Sequence, residues 1–250
     1  GDGEMVECTP RRTLLKLLGM GATTGSGLTL SSQPALADDS ASSGDDGVIL
    51  DQDFENISVG GYPNEWVKDG NQSQRVTDQY ASSGARSLEL RGSKGGCWQA
   101  VANAPLQFPD EGQLTIEFSF RPTTNGSFGC HSYRGLVNAR TDAGWWSAGK
   151  GIGLLRFRSN GSVTAHGETV GDYSLNDWNN IRYSYTREDE SISTEITVEP
   201  AGNLAASSVT IEREPTDFED QLSYLTFRSG DFVNQVDEIK VTAGPSSPVV

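Results

Sequence analysis

Residues 151–185 constrain the fold more than any other part of the chain. Leu155 and Phe157 alternate with Arg156 and Arg158, Asn160-Gly161 interrupts, and Val163 and Ala165 resume at spacing two. Asn-Gly tolerates positive φ at both central turn positions, so the segment predicts a β-hairpin closed by a type I′ turn. Trp178 follows, then Ile181, Tyr183 and Tyr185, again at spacing two. Successive side chains of a strand point to opposite faces, so this spacing predicts a strand with one buried face. Residues 114–120 obey the same rule, with Leu114, Ile116, Phe118 and Phe120 on one side.

The same short, alternating segments recur along the chain. Strands are predicted over 48–55, 74–77, 87–91, 97–101, 134–141, 191–199, 207–213, 222–228 and 236–241, separated by Gly- and Ser-rich turns. No long amphipathic helix competes with them. With 250 residues, enough for one sandwich with a full core, the pattern predicts an all-β, two-sheet antiparallel β-sandwich.

Charge narrows the setting. The formal net charge is −15, and only five of the 19 basic residues are lysine. An acidic, lysine-poor surface resembles that of proteins from salt-loving archaea, where carboxylates keep a protein hydrated in brine; an ordinary acidic secreted protein is the other reading. Nucleic acid is an unfavourable partner, since it demands a basic face.

The leader is legible. Thr9-Pro-Arg-Arg-Thr-Leu-Leu-Lys16, with Arg11 and Arg12 paired, resembles the twin-arginine export motif. A weakly apolar stretch broken by glycines follows, and then Ala35-Leu36-Ala37, a small-residue cleavage site ending at Ala37. Residues 1–37 are therefore expected to be a removable signal. Residues 38–47 are expected to be a disordered acidic, Ser-rich linker, 48–243 the sandwich and 244–250 a flexible tail. No segment of the mature chain has the ~20 continuous apolar residues of a membrane span. The expected location is extracellular or at the cell surface. There Cys97 and Cys130 are a candidate disulfide, with two separate buried thiols as the alternative.

Phe54-Glu55, Pro63, Trp66 and Gly70, residues 83–90 (SGARSLEL), Leu175-x-x-Trp178-x-x-Ile181 and the closing Val236-Asp-Glu-Ile-Lys-Val241 occur in that order. Together they resemble concanavalin A-like lectin/glucanase domains of the laminin G-like kind, over about residues 48–243. The resemblance implies a jelly roll and, among its functions, binding of polysaccharide or glycoconjugate. Galactose-binding-type carbohydrate modules are a second resemblance, and they too are β-sandwiches.

Catalytic signatures of such sandwiches do not fit. Residues 188–190 have the wrong spacing for a paired-carboxylate hydrolase, and residues 212–219 are interrupted by Pro215. Residues 86–91 carry an extra residue relative to the lyase pattern, which changes the side chains sharing a face. His131 and His166 read as surface histidines. The leading expectation is a non-catalytic glycan- or surface-binding module. A glycan-active hydrolase or lyase and a purely structural surface protein remain as alternatives.

Two sets of candidate residues follow. Trp145 and Trp146, flanked by glycines, form a loop in which an indole could stack on a sugar while Arg140 or Asp142 just before them hydrogen-bonds to it. The alternative is that one tryptophan plugs the sandwich end and the other shields a sheet edge. Trp98 and Trp178 are assigned to the core, and Trp66 is undecided. Asp53 and Glu55 at spacing two, with Asp237 on the closing strand, are candidate ligands for a structural Ca²⁺, a resident of related modules. The alternative there is a solvated acidic edge that discourages strand pairing.

Overall fold

The computed structural model describes residues 47–70, 72–93, 99–144 and 149–244. The leader with Arg11, Arg12 and Ala37, most of the linker and tail, Cys97, Trp98, Trp145 and Trp146 lie outside the described residues.

Fifteen strands and one 3-10 turn, Glu219–Gln221, make up the regular structure of the described residues. In chain order they are β1 Val48–Gln52, β2 Val67–Gly70, β3 Gln74–Thr77, β4 Ser87–Arg91, β5 Ala100–Pro105, β6 Gly112–Arg121, β7 Tyr133–Arg140 and β8 Gly151–Arg158. Then follow β9 Ser162–Ala165, β10 Glu168–Asp172, β11 Asn179–Glu188, β12 Ser191–Pro200, β13 Ser207–Arg213, β14 Tyr224–Ser229 and β15 Val233–Ala243. They form two antiparallel sheets. One runs β13-β12-β11-β6-β15-β4-β3, with β1 pairing β15, and is eight-stranded; the other runs β10-β9-β8-β7-β14-β5-β2 and has seven. The expected two-sheet antiparallel sandwich is the architecture observed.

The period-2 pattern explains the core. Leu114, Ile116, Phe118 and Phe120 of β6 and Ile181, Tyr183 and Tyr185 of β11 all turn inward. Aromatic rings join the layers: Phe118 meets Phe227 edge-on at 5.3 Å, and Phe120 meets Phe157 at 4.3 Å. Trp66 resolves into the core, stacked on Phe227 at 6.4 Å. Trp178 departs from expectation, being half-buried and outside the core cluster.

Three local corrections have clear causes. The β8–β9 turn is not type I′, because only Gly161 takes positive φ (92°) and Asn160 does not. Instead Gly161 N bonds Arg158 O, and Asn160 Oδ1 accepts from Ser162 N and Oγ, giving a three-residue loop with glycine in the left-handed position. The first strand stops at Gln52 rather than running to residue 55, since Phe54 adopts φ 62° and plunges into the core. Finally, β10 occupies residues expected to be loop, since Glu168–Asp172 pairs back onto β9.

Candidate functional site

Both sheets shelter polar groups on the faces turned away from the core. On the eight-stranded sheet Thr115, Ser119 and Arg121 of β6 are buried, while the Glu117 and Arg182 side chains, 4.0 Å apart, stay largely in solvent. On the seven-stranded sheet the shelter lies over β7, β14 and β5. Val137 and Ala139 of β7 belong to the core cluster, so Leu136, Asn138 and Arg140 face outward, yet none is more than 7% exposed. The same parity turns Asn103 of β5 and Thr226 of β14 outward, and both are fully buried.

Register aligns these outward polar groups into one row. Val67 pairs Asn103, Asn103 pairs Thr226, Thr226 pairs Asn138 and Asn138 pairs Gly153. Asn103 Nδ2 donates to Val67 O at 3.0 Å, and Thr226 Oγ1 donates to Asn103 Oδ1 at 2.9 Å. The chain of bonds then stops. Asn138 Nδ2 is buried and has no hydrogen-bond partner among the described residues. Its neighbour in register, Gly153, has no side chain to fill the space, and a groove of about 280 Å³ opens there. Leu136, Asn138, Gly153, Arg156, Arg158 and Thr164 line it, with His166 and Gly167 at the β9–β10 end. A buried donor left without a partner costs about 1–3 kcal/mol, so its presence asks for a ligand or water.

Cations gather beside this groove. The Tyr133 ring lies 5.6 Å from the Arg156 guanidinium and 5.8 Å from that of Arg228, and its Oη accepts from Gln99 Nε2 at 2.9 Å. Burial raises the Tyr133 hydroxyl pKa, with Arg228 opposing. Burial likewise pushes Arg228 down to about 10, and the like charges of Arg140 and Arg156 add to that. His166 contributes no charge near neutral pH. Desolvation, helped by Arg213, lowers it to about 4, and its Nε2 lies 2.9 Å from Tyr183 Oη. Neither histidine is the free surface group expected, since His131 Nδ1 sits 3.0 Å from the buried Asp231 Oδ1.

The expected site residues divide. Arg140 stands at the end of β7 on this same outer face and braces the loop that follows. Its Nε donates to Asp142 O at 3.3 Å, and its Nη2 to Gly144 O at 2.9 Å and Gly149 O at 3.1 Å. Asp142 is exposed and caps Gly144 N at 2.8 Å. Trp145 and Trp146, which follow them, fall outside the described residues. Asp53, Glu55 and Asp237 are not gathered as a cation cage; no cluster of three or more potential ligands occurs among the described residues. With β1 ended at Gln52, Asp53 Oδ1 caps Glu55 N at 3.1 Å. Glu55 Oε1 accepts from Ala85 N and Arg86 N at 2.9 and 2.8 Å. Asp237 accepts from Ser82 N and Glu238 N, both at 2.8 Å. Cys130 is disulfide-bonded, while Cys97, its expected partner, is outside the described residues.

Sequence reasoning missed Asn138, Gly153, Arg156 and Arg158. Their alternation with Val137, Leu155 and Phe157 is visible in the sequence, but which outward positions the assembled sheet shelters is not.

No protein-family model matches the chain, and no curated protein matches it in sequence. Among solved structures it is similar to lectin II from Ulex europaeus, at 12% identity and TM-score 0.51, covering 79% of this chain and 100% of that one. The lectin UEA-II complexed with galactose matches at the same identity, coverage and score. Peanut lectin with a nonapeptide matches at 13% identity and TM-score 0.51, over 79% of this chain and 99% of that one. The fold is thus an all-β jelly roll of the concanavalin A-like kind, the architecture of legume lectins.

Proposed function

We propose that the chain is an exported, non-catalytic module that binds glycan outside the cell or at its surface. The observation that carries this reading is the Asn138 amide, nine-tenths buried and without a partner, lining the groove on the seven-stranded sheet. Sugars present several hydroxyl acceptors and donors, and a buried amide donor beside a glycine gap suits one of them. The groove is near the lower end of the ~300–1,000 Å³ range of small-ligand clefts, which fits a short stretch of saccharide. Lectins of this fold, one of them complexed with galactose, support a sugar ligand. Among the described residues no Asp or Glu lines the groove, which favours binding over two-carboxylate hydrolysis. The paired Arg11 and Arg12 and the Ala37 site support export.

The test is a glycan array probed with protein recovered from the culture medium, its mass first checked for a start at Asp38. Wild type should bind at least one glycan, and Asn138→Ala should weaken that binding about tenfold, as expected for one buried polar contact. Equal binding by both proteins removes the groove from the reading. Release of reducing ends or unsaturated sugars from a bound polymer overturns the non-catalytic assignment.

A further inference from the structure

The charge around this groove specifies the kind of sugar; the inference rests on the glycan-binding reading above. Arg156 and Arg158 alternate with Leu155 and Phe157, which are in the core, so both arginines project from the outer face. Both are exposed. Among the described residues, neither takes part in an ion pair or a side-chain hydrogen bond. Among the described residues no carboxylate lines the groove beside them. This is out of proportion in a chain with 34 acidic residues against 19 basic ones. Most arginines elsewhere are engaged: Glu89 takes Arg75 and Arg91, Glu219 takes Arg213, and Arg86, Arg121 and Arg134 donate to Glu55 O, Gln235 Oε1 and Thr123 O. Here two adjacent guanidinium forks are left open to solvent beside a buried amide that can only donate from its free nitrogen.

Such a set of donors matches a ligand rich in acceptors and negatively charged. A guanidinium fork pairs a carboxylate or a sulfate oxygen pair with two parallel bonds, stronger and more directional than a neutral contact. We infer that the groove binds an acidic saccharide, its uronate carboxylate or sulfate ester held by Arg156 and Arg158 while Asn138 Nδ2 donates to a ring or hydroxyl oxygen. Gly153 keeps the space open, because a side chain there would start 3.7 Å from Asn138 Oδ1. Arg228, one strand further along the same row as Leu136 and Arg156, extends the positive field. Burial chiefly lowers its pKa, and the nearby charges of Arg140 and Arg156 push the same way. A bound anion counters those charges.

The experiment titrates the full chain with four polymers: polygalacturonate, dextran sulfate, dextran and laminarin. Wild type should bind an acidic polymer at least about tenfold more tightly than either neutral one, which corresponds to about 1.4 kcal/mol. The polygalacturonate and dextran sulfate arms separate carboxylate from sulfate. Arg156→Gln/Arg158→Gln should lose that preference and keep the wild-type melting temperature, while Arg182→Gln, an exposed arginine on the other sheet, should retain it. Loss of preference in Arg182→Gln as well means diffuse attraction and overturns the assignment. Neutral polymers bound as tightly as acidic ones, with sensitivity only to Asn138→Ala, overturn the acidic ligand and leave the glycan reading standing. No binding to any polymer in this set or on the array overturns both.

Discussion

His166 and Asp237 carry opposite pH liabilities. In the folded chain His166 titrates near 4 rather than 6.5, so between those values the unfolded chain binds a proton that the folded one refuses. Its contribution to stability is therefore lost as pH falls from 6.5 toward 4. Asp237 is raised from 3.8 to about 6, by burial first, so the folded chain keeps a proton that the unfolded one releases. Its contribution is lost as pH rises from about 4 to 6. The two slopes oppose each other across the same window. Thermal melts at pH 4, 5, 6 and 7 should show His166→Asn gaining on wild type as pH falls. Asp237→Asn, which sacrifices an acceptor for Ser82 N or Glu238 N, should gain on wild type as pH rises. Parallel melting curves for wild type and either variant would reject the corresponding assignment.

At the scale of elements, β14 decides most. It lies between β5 and β7, with Phe227 turned inward against Phe118 and Trp66, and Thr226 and Arg228 turned outward. Phe227→Ala removes a ring that touches both sheets, and should lower urea-derived stability by about 3–5 kcal/mol. A smaller loss would mean that Trp66 collapses into the space. Strand positions were largely legible: Gln74–Thr77, Ser87–Arg91 and Ser207–Arg213 fall where alternation and turn residues predict them. The errors sit where a side chain overrode the local pattern. Phe54 ends β1 by entering the core, and the Asn160 carboxamide, accepting from Ser162, favours a three-residue turn over type I′. The candidate groove was not legible at all, because Asn103, Thr226 and Asn138 become neighbours only when β14 slots between β5 and β7.

For the whole molecule, net charge sets the response to salt. A surplus of −15 repels itself in dilute buffer, and the ~3 Å screening length at 1 M salt removes most of that repulsion. The melting temperature should rise between ~0.05 and ~2 M potassium chloride, while acidic-polymer binding through Arg156 and Arg158 weakens over the same range. A melting temperature that is flat or falls with salt would contradict the brine-adapted reading of the composition.

Periodicity alone determined the layered all-β architecture, because alternation along a strand is a local property that burial of one face enforces. It also determined which side chains of the long strands β6 and β11 point inward. Tertiary structure decided which outward positions would be sheltered, because that depends on pairings between strands more than eighty residues apart, such as Asn138 with Thr226. Among the described residues, that assembly leaves the Asn138 Nδ2 donor buried without a partner next to Gly153, with Arg156 and Arg158 outside any ion pair at its side.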